Sequence, residues 1–256
     1  MNIVYGAMGR HGDIIAASIV ANMLIRAGHQ LKWVTIKYYE DLVKCICPDA
    51  EIGIRPFPEG VAWSDDVTRE YLESHSPGAD CYINAHLGAK ENRDYWGSGK
   101  HPLEWLRAQG ERATGTLLTS EWKKFLMYSN PIEIERIERI QGKPLAIIAP
   151  LAISSPCITS DLLEAIYSRL AIKYDVRILV IAKPDDCKYN YLYGYTFVEC
   201  IQLLRQADHY VGQDSGMSWA ALYSNCSKEI YHNKERFRTV RTSFAAIDGS
   251  AADYLL

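Results

Sequence analysis

Three stretches of this chain gather residues able to do chemistry at turns. The first is Gly6-Ala7-Met8-Gly9-Arg10-His11-Gly12-Asp13, between a short apolar run and a longer one. Its glycines let the backbone turn tightly and approach a ligand, and a helix that starts there attracts an anion. Asp13 and His11 are its titratable groups, and Gly9, Arg10 and Gly12 complete the loop. The pattern fits a dinucleotide fingerprint, a sugar-transfer loop or a plain turn between strand and helix. The second stretch, Pro150 to Ser160 (PLAISSPCITS), offers Ser154, Ser155 and Thr159 near a helix start, which suits a diphosphate. Ordinary N-capping is the plainer use of any one of those hydroxyls. The third runs from Leu192 to Leu222. Gly194 and Thr196 precede a helix, and Val211-Gly212-Gln213-Asp214-Ser215-Gly216 turns a strand into the next helix through small residues.

The elements that must position these turns alternate. Asn2 to Tyr5, Leu31 to Ile36, Ala50 to Ile54 and Cys81 to Asn84 read as strands. Ile14 to Arg26 has helical length and stops at Gly28, and Tyr39 to Cys45 reads as a second helix. Residues 88–102 read as a long exposed loop and 120–128 as helical. Asn130-Pro131 then punctuates the chain. Residues 132–141 (IEIERIERIQ) carry an amphipathic helical pattern with a Glu135–Arg139 pair at i,i+4. The rhythm then restarts, with strands at 145–149, 176–181, 209–211 and 229–231. Helices follow at 161–173, at 196–206 behind a Thr196-x-x-Glu199 capping box, and at 215–223. Strands alternating with helices imply parallel sheets. The predicted fold is α/β, with two Rossmann-like lobes facing a cleft. They are an N-terminal lobe over 1–128, a linker helix over 129–143 and a C-terminal lobe over 144–256. Tyr189, Tyr191, Tyr193 and Tyr195 would share one face of a strand, packed on the sheet or stacked on a nucleotide base.

Composition narrows the function. The 256 residues include 28 Lys and Arg against 31 Asp and Glu, a formal charge of -3, with 48% hydrophobic residues. That excludes a disordered chain and gives no positive field with which to follow a nucleic acid. The longest apolar stretch, Ile14 to Ile25, is interrupted by Asn22 and falls short of the roughly 18 residues of a membrane span. No leader pattern is read at the start, so membrane contact is peripheral at most. The seven cysteines form no C-x-x-C pair, and the chain has no Asp-x-Asp. Thiols in a reducing cytoplasm are expected, with neither a zinc knuckle nor another metal site.

The third stretch resembles the glycosyltransferase family that contains the lipopolysaccharide heptosyltransferases. In that family a G-x-T segment opens a helix, and a strand then runs into an Asp-Ser/Thr-Gly turn. Gly12-Asp13, Gly28 and Leu31 to Thr35 are similar to the family's opening, so the resemblance covers roughly 2–56 and 144–231. It implies a GT-B fold and metal-independent transfer of a sugar from a nucleotide-diphosphate donor to a glycan or glycolipid, without a cofactor. It places donor binding on Ser154, Ser155, Gly194, Thr196, Asp214, Ser215 and Gly216. The family's basic residue after Pro150 is missing here, and Lys183 is the available substitute. Trp219 stands near the family's usual His. An attacking hydroxyl must lose a proton, which assigns catalysis to Asp13 or His11 beside the acceptor-side loop of Gly9, Arg10 and Gly12.

Two other functions compete. A nicotinamide-dependent oxidoreductase would use Gly6, Gly9 and Gly12, but Lys37 and Tyr38 stand where its acidic ribose-binding residue belongs. A non-catalytic sugar- or nucleotide-binding relative would account for the missing basic residue. Of the histidines, His86 ends a strand and is the second candidate after His11; the others read as structural.

Overall fold

The structure is a computed structural model and describes residues 1–55, 69–129, 134–152, 156–185, 188–239 and 241–256. It divides into two compact units, Met1–Asn130 with Arg238–Thr242, and Pro131–Phe237 with Ser243–Leu256.

The first unit contains β1 (Asn2–Gly6), α1 (His11–Arg26), β2 (Gln30–Thr35), α2 (Glu40–Ile46) and β3 (Glu51–Ile54). It continues with α3 (Arg69–His75), β4 (Cys81–Asn84) and α4 (Pro102–Thr114). The strands form a parallel sheet in the order β3-β2-β1-β4. α1 is buried without a break from Ile14 to Leu24, because α2, α4 and the 3-10 turn Trp122–Phe125 all pack on it. Asn22, the polar residue within that run, donates from Nδ2 to Ile46 O at 3.0 Å and to Phe125 O at 2.9 Å. It joins the end of α2 to the 3-10 turn through the helix core. Gly28, at φ 91°, closes α1 in the left-handed conformation that a residue with a Cβ resists.

The second unit contains β5 (Leu145–Ala149), α5 (Ser160–Ala171), β6 (Asp175–Leu179), β7 (Tyr191–Leu192) and α6 (Phe197–Gln206). It continues with β8 (His209–Gln213), α7 (Gly216–Ala221), β9 (Ser227–His232), α8 (Lys234–Thr239) and β10 (Ala251–Leu255). Its sheet is parallel throughout, in the order β10-β9-β8-β5-β6-β7. Lys228 on β9 is fully buried, its ammonium donating to Ser224 O, Cys226 O, Asp248 Oδ2 and Ser250 Oγ at 2.7–3.1 Å. That cage ties the segment before β10 to the sheet.

The structure corrects the linker. Among the described residues of 129–143 there is no α-helix; 134–139 are irregular and Ile140–Gly142 is one 3-10 turn. The backbone amides that a helix would pair internally go to side chains instead. Ile134 N–H donates to Gln202 Oε1, Ile137 N–H to Gln206 Oε1 and Ile140 N–H to Asp175 Oδ2, at 2.8–3.1 Å. Tertiary hydrogen bonds thus override a helical pattern. Residues 120–128 similarly hold only the 3-10 turn at Trp122–Phe125. The expected exposed loop at 88–102 is in part buried. Ala89, Asn92 and Tyr95 are inaccessible, and Lys90–Tyr95 forms a 3-10 helix.

Candidate active site

An open α/β sheet binds ligands at the carboxyl ends of its strands, where the strand order reverses. In the first unit that point lies between β1 and β4, and the Gly6–Asp13 turn leaves β1 there. The turn is fastened to β2: Ala7 N–H donates to Val34 O at 3.3 Å, and Thr35 Oγ1 donates to Ala7 O at 3.2 Å. Asp13 Oδ2 accepts from the Arg10 N–H at 2.9 Å, so the carboxylate caps α1. Its side chain folds over Gly9, where a Cβ would lie 2.6 Å from Asp13 Oδ2. Gly9 is therefore required for the position of Asp13, and Arg10 remains exposed beside it.

His11 makes edge contacts with the rings of Tyr38 and Tyr39, at centroid distances of 5.6 and 5.2 Å. Burial lowers its pKa to about 4. Burial, then the neighbouring Tyr38 and Asp13, hold the Tyr39 hydroxyl far above the ordinary phenol range, with Arg10 opposing. Burial keeps the imidazole neutral at neutral pH, and an ordinary carboxylate titrates in the same range, so His11 and Asp13 both stay candidates for the base.

The same histidine gives a pH dependence. Its folded pKa lies below the ordinary 6.5, so its contribution to stability is complete above 6.5 and is lost as pH falls towards 4. At about 1.4 kcal/mol per pH unit the loss is on the order of 3 kcal/mol. His11→Phe, which keeps an aromatic ring, is expected to flatten this limb when urea unfolding is compared at pH 7 and pH 4.5. Equal acid losses in both proteins would refute it.

At the end of β4, across from Gly6, the fold assembles a polar cluster that sequence reading missed apart from His86. Asn92 Nδ2 donates to Asn84 O at 3.0 Å and His86 O at 2.8 Å, while Asn84 Nδ2 donates to Glu91 Oε1 and Gln109 Nε2 to Asn92 Oδ1. His86 is buried. The members lie on β4, the Lys90–Tyr95 turn and α4, so no local spacing reveals the cluster.

In the second unit the order reverses between β5 and β8. Gln213 ends β8 opposite the start of the β5–α5 loop and is 1% exposed. Its Oε1 accepts from Cys157 N–H at 2.6 Å and Ile158 N–H at 3.2 Å, while Nε2 donates to Pro150 O. The second and third sequence stretches are therefore joined through this side chain. Asp214 N–H donates to Tyr231 O at 3.0 Å, and the Asp214 charge, after burial, helps push the Cys157 thiol up to about 11. Ser215 sits at the N-cap of α7, yet its side chain makes no capping bond. Its Oγ is buried with no hydrogen-bond partner among the described residues. Gly216 follows as the first residue of α7.

Other sequence candidates fall differently. Ser154 and Ser155 lie outside the described residues. Lys183 is exposed. Gly194, at φ 77°, makes the turn after β7. The Thr196 hydroxyl serves α6 in a reciprocal capping box with Glu199, accepting from Glu199 N–H at 3.3 Å. The tyrosine row divides: Tyr189 and Tyr191 pack against the α5 face, with Tyr189 4.6 Å from Tyr167, while Tyr193 and Tyr195 are exposed. Trp219 is buried against Phe244. His29 bonds Thr116, His101 caps α4, and His209 and His232 pair with Glu229 and Asp253, so these four serve structure. Among the described residues no group of three or more His, Cys, Asp or Glu could hold a metal ion, and no helix is long and apolar enough to cross a membrane.

No protein-family model matches the chain. No curated protein matches it either. Solved structures do. E. coli heptosyltransferase WaaC with ADP aligns over 91% of this chain and 88% of its own, at 12% identity and a TM-score of 0.60. The E. coli ADP-heptose lps heptosyltransferase II aligns over 99% and 90%, at 13% identity and a TM-score of 0.62. The glycosyl transferase family 9 protein from Veillonella parvula aligns over 100% and 86%, at 11% identity and a TM-score of 0.61. Likeness at such identity speaks to architecture: this chain has the two-unit, GT-B-like α/β fold of those glycosyltransferases.

Proposed function

We propose that the chain is a glycosyltransferase that moves a sugar from a nucleotide-diphosphate sugar to a hydroxyl of a glycan or glycolipid. The observation that carries this reading is the buried Ser215 hydroxyl at the start of α7, at the strand-order reversal, with no partner among the described residues. A buried hydroxyl without a partner costs free energy that a phosphate oxygen would recover. The solved neighbours support the donor class: one was determined with ADP, and another is an ADP-heptose lps heptosyltransferase.

In this reaction the acceptor oxygen forms its bond to the anomeric carbon as its proton passes to the Asp13 carboxylate. The anomeric C–O bond breaks, and its electron pair leaves on the diphosphate. Ser215 Oγ and the Gly216 N–H receive the growing negative charge, as preorganised donors do. Six cysteines are described and all are free thiols, which fits a cytoplasmic setting.

The oxidoreductase reading loses ground at its own fingerprint. Tyr38 is 70% exposed, and Lys37 pairs with Glu40, so neither supplies the acidic ribose contact. Thermal-shift titration with ADP, UDP, GDP, CDP, NAD and NADP separates the readings. A rise in Tm with one nucleoside diphosphate, followed by sugar release from the matching nucleotide sugar, is expected. Stabilisation by NAD or NADP alone would overturn the proposal, and binding without turnover would favour the non-catalytic relative.

A further inference from the structure

We propose that Gln213 is a positioning residue that fixes Pro150, Cys157 and Ile158 at the distance from the Asp214-Ser215-Gly216 turn that a diphosphate needs. The inference rests on the transferase reading and adds a residue to it. Gln213 is bonded at both ends. Its backbone carbonyl accepts from Ser218 Oγ at 2.6 Å, and Ser218 Oγ lies 3.1 Å from the Tyr210 hydroxyl, so α7 and β8 hold the main chain. Gly212 makes room for that arrangement, because a Cβ there would fall 2.1 Å from the Tyr210 hydroxyl oxygen. From this anchored backbone the side chain reaches across the strand-order reversal. It takes two loop amides, Cys157 and Ile158, on one oxygen and gives an N–H to the Pro150 carbonyl. Pro150 after β5 and Cys157 and Ile158 before α5 are thereby held by one buried amide.

The chemistry explains the residue type. The loop presents two donors and one acceptor, and only a primary amide of this length answers both. A carboxylate would meet the two N–H groups but set its charge against the Pro150 carbonyl and next to Asp214. A thioether of similar size would answer none of them. A polar group this deeply buried is costly when unpaired, so losing it releases the loop instead of leaving the loop in place.

The test uses Gln213→Met and Gln213→Glu in the whole chain, with ADP and adenosine as probes. Hydrogen exchange of the peptide spanning 150–158 reports the loop, and calorimetry reports affinity. Gln213→Met is expected to speed exchange in that peptide and to weaken ADP at least ten-fold. Adenosine, which has no phosphates, should bind both proteins alike. Gln213→Glu should fall between wild type and Met in exchange while losing as much ADP affinity as Met. Equal losses for ADP and adenosine, or a freed loop with unchanged ADP affinity, would overturn the inference. So would an unchanged loop. A wild-type chain that binds none of ADP, UDP, GDP and CDP overturns the transferase reading itself, and that titration contains no variant, so the two failures are distinct.

Discussion

Asp13→Asn is expected to lower turnover with the matching nucleotide sugar by about 10²–10⁴-fold, the range typical of a lost general base. Folding and donor affinity should survive. Asn keeps an oxygen that accepts the N–H of the N-cap residue Arg10, now bonded to Asp13 Oδ2 at 2.9 Å from position N3. What it removes is the capacity to take a proton. The start of α1 favours a negative charge, so the carboxylate is in the form a base requires. The substitution separates two roles that the structure places on one side chain, cap and base. If Asp13 only holds the helix start, Asp13→Asn turns over near normally and Asp13→Ala loses about 0.5–1.5 kcal/mol of stability, one hydrogen bond. Near-normal turnover in Asp13→Asn would end the catalytic assignment. The assignment would then move to His11, two residues earlier on the same turn.

The βα rhythm was legible because it is local. The apolar runs at 2–5, 31–36 and 145–149 became buried central strands, and Gly28 and the Thr196–Glu199 box marked helix ends where the structure has them. His101-Pro102 before an amphipathic stretch was an equally good helix start that went unread; the imidazole accepts from Leu103 N–H and proline stands at N1. Elsewhere the pattern was local and the outcome was not. The IEIERIERIQ segment has helical spacing, but Gln202, Gln206 and Asp175, distant in sequence, take its amides. The site divides in the same way. Gly9 and Asp13 could be named together because they are four residues apart on one turn. Gln213 could not be read as the bolt between two loops, because its partners lie more than fifty residues away. The Asn84–Glu91–Asn92–Gln109 cluster escaped for another reason: its partners are only 7 to 17 residues apart, but they sit on a strand, a 3-10 turn and a helix that share no periodic spacing.

Ser215→Arg is expected to abolish nucleoside diphosphate binding, a loss of at least 10³-fold in affinity measured by calorimetry, with no loss of fold. The serine hydroxyl is buried with no partner among the described residues, so a long cationic side chain cannot occupy the same space. A guanidinium would have to run outward through the turn between Asp214 and Gly216, across the amides that would meet phosphate. Charge alone would attract the anion, so weakening here reports occupied space. Ser215→Ala supplies the matching control. It removes one donor, releases the cost of an unpaired buried hydroxyl, and should weaken the diphosphate by about ten-fold, one charge-assisted hydrogen bond, while leaving or slightly raising stability. Gly9→Arg in the first unit completes the set. It should leave nucleoside diphosphate affinity intact, although turnover falls because the side chain collides with Asp13. If Ser215→Arg still binds and Gly9→Arg does not, the phosphate site belongs to the Gly6–Asp13 turn, and the nucleotide is held by the first unit in the manner of a dinucleotide enzyme.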